Sequence, residues 1–102
     1  MATKTAPTVT ALEAQGTANL FLSEHLPDRF LAVRPHLEQE AEVWRVPVVL
    51  TYAVTGSLGE VGEIVVNAAT EEIISHTPFA EMRERAQTLY EQHRESIEAP
   101  LT

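Results

Sequence analysis

The stretch Trp44-Arg45-Val46-Pro47-Val48-Val49-Leu50-Thr51-Tyr52-Ala53-Val54 decides the fold. Its even positions, Trp44, Val46, Val48, Leu50, Tyr52 and Val54, are all apolar, whereas the odd positions are mixed. Successive strand side chains point to opposite faces, so this period predicts a strand over 43–54 with one face in a core. Pro47 lies inside it and has no N–H to donate, so the strand is an edge there or carries a bulge. Thr55-Gly56-Ser57-Leu58-Gly59 reads as the connecting turn. A further strand is expected over 60–68 and a short one over 72–76.

Upstream, Thr10-Ala11-Leu12-Glu13 is a capping box opening a helix. One face of that helix carries Ala11, Ala14, Ala18, Phe21, Leu22, His25 and Leu26, and Pro27 ends it. Gly16 weakens it by about 1 kcal/mol relative to alanine. Residues 29–33 read as a short strand and the acidic residues 35–42 as a loop. Downstream, Thr77 suits an N-cap and Pro78 a first helical position. The helix they open aligns Phe79, Met82, Ala86, Leu89, Tyr90, His93 and Ile97 on one stripe and runs to Pro100. Glu81 and Arg85 form an i,i+4 pair off that stripe. The expected architecture is a two-layer α+β domain. It is an antiparallel sheet of three to four strands with an N-terminal and a C-terminal helix on one face. Residues 1–9 are expected as a frayed lead, 10–98 as the domain and 99–102 as a tail.

The 102 residues are enough for one core without staples, and 44% of them are apolar. The absence of cysteine excludes disulfides, thiolate metal sites and cysteine nucleophiles. No run is long and apolar enough to be a signal core or a membrane span, so a cytoplasmic location is expected. The formal net charge is −8, and the seven basic residues are scattered, which argues against binding nucleic acid through a basic patch. Such an acidic surface serves solubility or complements a basic partner.

Val66-Asn67-Ala68-Ala69-Thr70-Glu71-Glu72-Ile73 resembles the closing hairpin of PepSY-type domains, which commonly reads Val-Asp-Ala-x-Thr-Gly-Glu-Ile. Val66, Ala68, Thr70, Glu72 and Ile73 match. Val43-Trp44-Arg45-Val46 looks like that family's aromatic-containing middle strand, and the resemblance spans about residues 11–76. Asn67 stands where the family has Asp, and Glu71 where it has Gly. A non-glycine residue at a left-handed turn position costs about 1 kcal/mol unless a different turn forms. The resemblance implies a small regulatory or inhibitory binding module and transfers no catalytic residues.

Chemistry-bearing sets are sparse. His25, His36, His76 and His93 have no partner histidine three or four residues away, so no metal or cofactor is expected. Glu60, Glu63, Glu71 and Glu72 read as solvated hairpin charges, because nothing apolar beside them in sequence raises a pKa. Ser57 lacks the strand-elbow-helix context of a nucleophile. The C-terminal stripe extends beyond what a short sheet covers, so Tyr90 and Ile97 belong either to the core or to an interface. The partner-binding candidates are Trp44, Arg45, Pro47, Tyr90, His93 and Ile97. The expected function is a non-enzymatic protein-binding or regulatory module, inhibitor- or antitoxin-like, with a possible homodimer. The alternatives are a small-molecule binder or enzyme with a pocket at a dimer interface, and a structural subunit of a larger assembly.

Overall fold

A computed structural model describes residues 8–98. The element order is α1 (Ala11–Ser23), β1 (Phe30–Ala32), β2 (His36–Glu38), β3 (Val43–Tyr52), β4 (Gly56–Asn67), β5 (Ile73–His76), α2 (Phe79–Gln92) and α3 (Arg94–Glu98). The α+β architecture is as expected: a curled antiparallel sheet with helices at both ends of the chain. Its strand path is β1-β3-β4-β5, and β2 also pairs with β3. The expected tail, and the lead up to residue 7, lie outside the described residues. Val9 corrects the expectation of fraying: it is buried, and its N–H donates to Ala68 O at 2.9 Å.

The even positions of β3 are buried in the core as far as Leu50, but Val54 lies in the hairpin turn and is 72% exposed, and the odd positions Pro47 and Val49 are buried too. Trp44, Val46, Val48 and Leu50 join one core cluster with Ala14, Ala18 and Leu22 of α1 and Met82 and Ala86 of α2. Thr10 caps α1, and Glu13 closes the capping box by accepting from the Thr10 N–H. His25 is exposed rather than packed on the stripe, yet its ring stacks on Phe79 with centroids 4.7 Å apart.

Four boundaries differ from the sequence reading, each for a local reason. Residues 35–42 are not wholly loop: His36–Glu38 pairs with β3, with Leu37 opposite Trp44. The hairpin turn is residues 53–55, and Gly56 already begins β4 at φ 77°, a left-handed value that suits glycine after a three-residue loop. Thr77 does not cap α2, because its hydroxyl accepts from the Glu63 N–H at 3.0 Å; Pro78 occupies the N-cap without a side-chain hydrogen bond. The C-terminal helix breaks at His93, whose φ −114° and ψ 14° leave helical space. The His93 Nδ1–H donates to Leu89 O at 2.9 Å, and α3 follows from Arg94.

Pro47 is not an open edge. It is buried within β3, between β4 on one side and the β1–β2 edge on the other. Its carbonyl accepts from Val33 N at 2.9 Å, so its nitrogen faces the gap between β1 and β2, where no donor is needed. The register shifts lie further on, between Val48 and Val49 and between Leu50 and Thr51.

The free edge of β1 is blunted by side chains of α1. Asn19 Oδ1 accepts from Ala32 N at 2.8 Å, and Asn19 Nδ2 and Gln15 Nε2 each donate to Ala32 O at 3.1 Å. These amides replace a neighbouring strand and leave no unpaired edge for another chain at that residue. Asn19→Ala orphans the N–H of Ala32, a fully buried residue, and leaves its carbonyl with Gln15 alone. We expect a loss of about 1–3 kcal/mol, read by urea unfolding.

The turn that resembles the PepSY hairpin forms with its two altered residues in place. Asn67 Oδ1 accepts from the N–H of Ala69 and Thr70 at 2.7 and 2.9 Å, as an aspartate would. Glu71 sits at φ 70°, so the left-handed position is kept rather than avoided, and its carboxylate accepts from the Thr17 hydroxyl. Glu71→Gly relieves a strain of about 1–2 kcal/mol and loses one exposed hydrogen bond, so thermal unfolding is expected to show a small rise in Tm.

Candidate functional site

The strand β1, the far end of β3 and the helix pair α2–α3 enclose an open groove of about 470 Å³. That lies within the roughly 300–1,000 Å³ usual for binding clefts. Its floor is apolar, from Phe30, Leu50, Ala86 and Ile97. Tyr52 and Tyr90 both line it and pack against each other, ring centroids 6.2 Å apart. Arg29 lies over the Tyr52 ring, its guanidinium carbon 5.2 Å from the centroid. Arg83 and Gln87 come from α2, and Pro27 completes the rim.

Local sequence explains the assembly. Tyr52 is the last core-facing position of β3 before the hairpin, so it stands at the open end of the sheet. Arg83, Gln87 and Tyr90, spaced i, i+4, i+7, share a flank of α2 beside the buried stripe of Met82 and Ala86. The break at His93 turns α3 so that Ile97 reaches the groove. The Tyr90 hydroxyl donates to Glu98, which also accepts from Arg94 Nε at 3.3 Å.

The structure divides the six candidate residues. Tyr90 and Ile97 meet in the groove. His93 is the hinge of the two helices, and its Nδ1 is occupied by Leu89 O. Trp44 lies in the core: it is 9% exposed and its indole N–H donates to Val9 O at 2.8 Å. Pro47 is buried as described above. Arg45 faces away from the core cluster and bridges Glu38 and Glu63, each at 2.6 Å.

That bridge sets a titration. The hydrogen bond from Arg45 holds the Glu38 carboxyl below the ordinary glutamate value; burial opposes this, and the charges of Arg45 and His36 add to it. Arg45 is raised in turn, first by the hydrogen bond to Glu38. A carboxyl lowered in the folded state stabilises above its unfolded pKa, and the contribution fades as pH falls through the lowered value. Carboxyl-detected NMR is expected to place the Glu38 midpoint below the ordinary range, and Arg45→Gln to return it there.

Sequence reading missed Arg29, Tyr52 and Arg83. The available signal was the Arg83, Gln87, Tyr90 spacing. A second cluster also escaped it: His25 and His76 each stack on Phe79, at 4.7 and 4.6 Å, with Phe21 packed against all three. Among the described residues no group of three His, Cys, Asp or Glu side chains is placed to hold a metal ion. Among them also, no helix is long and apolar enough to cross a membrane.

No protein-family model, curated protein or solved structure matches this chain. The functional reading therefore rests on the groove and on the residues that build it.

Proposed function

We propose that this chain is a non-enzymatic protein-binding module of the cytoplasm, regulatory or inhibitor-like, that docks a segment of a partner protein in the groove between β1, β3 and α2–α3. The observation that carries this reading is the groove's lining. Two tyrosines and two arginines surround an apolar floor, and these are residue types that dominate binding energy at protein interfaces. The hairpin resemblance to PepSY-type modules supports the same class of function. In this reading the groove holds and does not transform what it binds.

Affinity capture from native lysate tests it, run in parallel with wild type and Tyr90→Ala. The expected result is a stoichiometric protein on the wild type that is reduced or absent on the variant. Equal capture by both, or no stoichiometric partner for a wild type that turns over a small molecule, overturns it.

The groove's volume also suits a small molecule, the second reading. A thermal-shift screen with metabolites separates the two, because a ligand that binds only the folded chain raises the midpoint.

A further inference from the structure

Carboxylates outnumber lysines and arginines in this chain by 15 to 7. In such a surplus an arginine readily finds a carboxylate, and three do. Arg45 bridges Glu38 and Glu63, Arg85 pairs with Glu81, and Arg94 pairs with Glu98. Arg29, Arg34 and Arg83 have no ion-paired carboxylate among the described residues, and two of them, Arg29 and Arg83, line the groove. No Asp or Glu lines it. Glu98, next to Ile97, is engaged by the Tyr90 hydroxyl and Arg94. The groove is thus a small electropositive, aromatic-walled site on a surface of net charge −8.

The Arg29 guanidinium lies over the Tyr52 ring, its carbon 5.2 Å from the centroid, and with no ion-paired carboxylate among the described residues its N–H groups can bind one from a partner with two parallel hydrogen bonds. Phe30, Leu50 and Ile97 supply apolar floor beside it. Resting on the docking reading above, we infer that the groove recognises an acidic partner segment: an aspartate or glutamate side chain on Arg29 and Arg83, with a neighbouring aliphatic or aromatic side chain against the Tyr52–Tyr90 pair and the apolar floor. The overall charge of the chain points to a basic partner, but at this site the local charge is reversed. The surrounding negative surface repels long polyanions over a Debye length of about 8 Å, so the arginines select a segment whose carboxylates are few and locally placed.

The test is a phage-displayed random dodecapeptide library panned on wild type, on the double variant Arg29→Gln/Arg83→Gln and on Tyr90→Ala. Both arginines are exposed, so the double variant is expected to keep the wild-type Tm. Peptides recovered on wild type should be enriched in Asp or Glu next to Leu, Phe or Trp. A synthetic peptide of the selected sequence should bind the double variant at least tenfold more weakly. Recovered peptides with no acidic bias, or an acidic bias that survives on the double variant, overturn the inference and leave the docking reading standing. Failure to recover any peptide above empty wells overturns both. Displacement of the peptide by millimolar N-acetylglutamate reassigns the groove to a small carboxylate. Concentration-dependent light scattering abolished by Arg83→Gln reassigns it to a second copy of this chain.

Discussion

Gly62→Ala is expected to destabilise the fold by about 1–3 kcal/mol, the usual range for forcing atoms into a filled core. A Cβ at this position would stand 2.8 Å from Thr77 Cβ, 2.9 Å from Thr77 Oγ1 and 3.1 Å from Met82 Cγ. Thr77 cannot swing away cheaply. Its Cβ is one bond from the backbone, its hydroxyl accepts from Glu63 N, and its own N–H donates to Glu63 O at 3.0 Å. Met82 is fully buried. The strain therefore passes to the seat of α2 on β4, which also forms one wall of the groove. In a domain of this size each 1 kcal/mol shifts Tm by roughly 4–8 °C, so calorimetry should show a fall of about 5–20 °C. A fall within error would mean that α2 does not approach β4 as closely as described.

Tyr90→Ala is expected to weaken partner binding by about thirtyfold or more. That is the scale of about 2 kcal/mol for truncating an aromatic residue at the centre of an interface. Tyr90 is only half-buried in the isolated chain, so its contribution to folding is smaller than its contribution to binding. Its ring packs at 6.2 Å from Tyr52, and its hydroxyl is held by Glu98. Tyr90→Phe keeps the ring and removes only the hydroxyl, and should retain most of the affinity. Surface plasmon resonance on the captured partner reads both variants. Equal loss in the two would move the binding determinant from the ring to the Glu98 hydrogen bond.

The sheet was legible in the chain because period two in residues 44–54 is an unambiguous physical signal. The capping box at Thr10 was equally readable, since both halves of it are local. What escaped is non-local. The strand His36–Glu38 is too short to declare itself and is held by its partners across β3, with Arg45 binding Glu38 from the opposite strand. Thr77 carries a cap's side chain, but a backbone N–H fourteen positions upstream holds its hydroxyl. Pro47 announced a missing donor, and only the break between β1 and β2 shows how a buried strand tolerates one.

The site divides along the same line. Tyr90 and Ile97, which line the groove, stood out in the sequence because a helical stripe outran the sheet it had to cover. The core position of Trp44 was not legible, because the residue that takes its indole N–H, Val9, lies thirty-five positions away. Arg29 and Arg83 looked scattered in the sequence. They become a pair only when β1 and α2 converge on the end of β3.

The central claim is that the groove, and not another surface, holds the partner. Site-specific photo-crosslinking in intact cells tests it directly, with a benzophenone amino acid placed either at Gln87 in the groove or at Glu60. Glu60 is exposed and pairs with Val49 outside the core cluster. Docking in the groove gives one discrete crosslinked species from position 87, none from position 60, and its disappearance when Arg29 and Arg83 are both changed to Gln. A species formed from position 60 alone, or one from position 87 that persists without the two arginines, would contradict it.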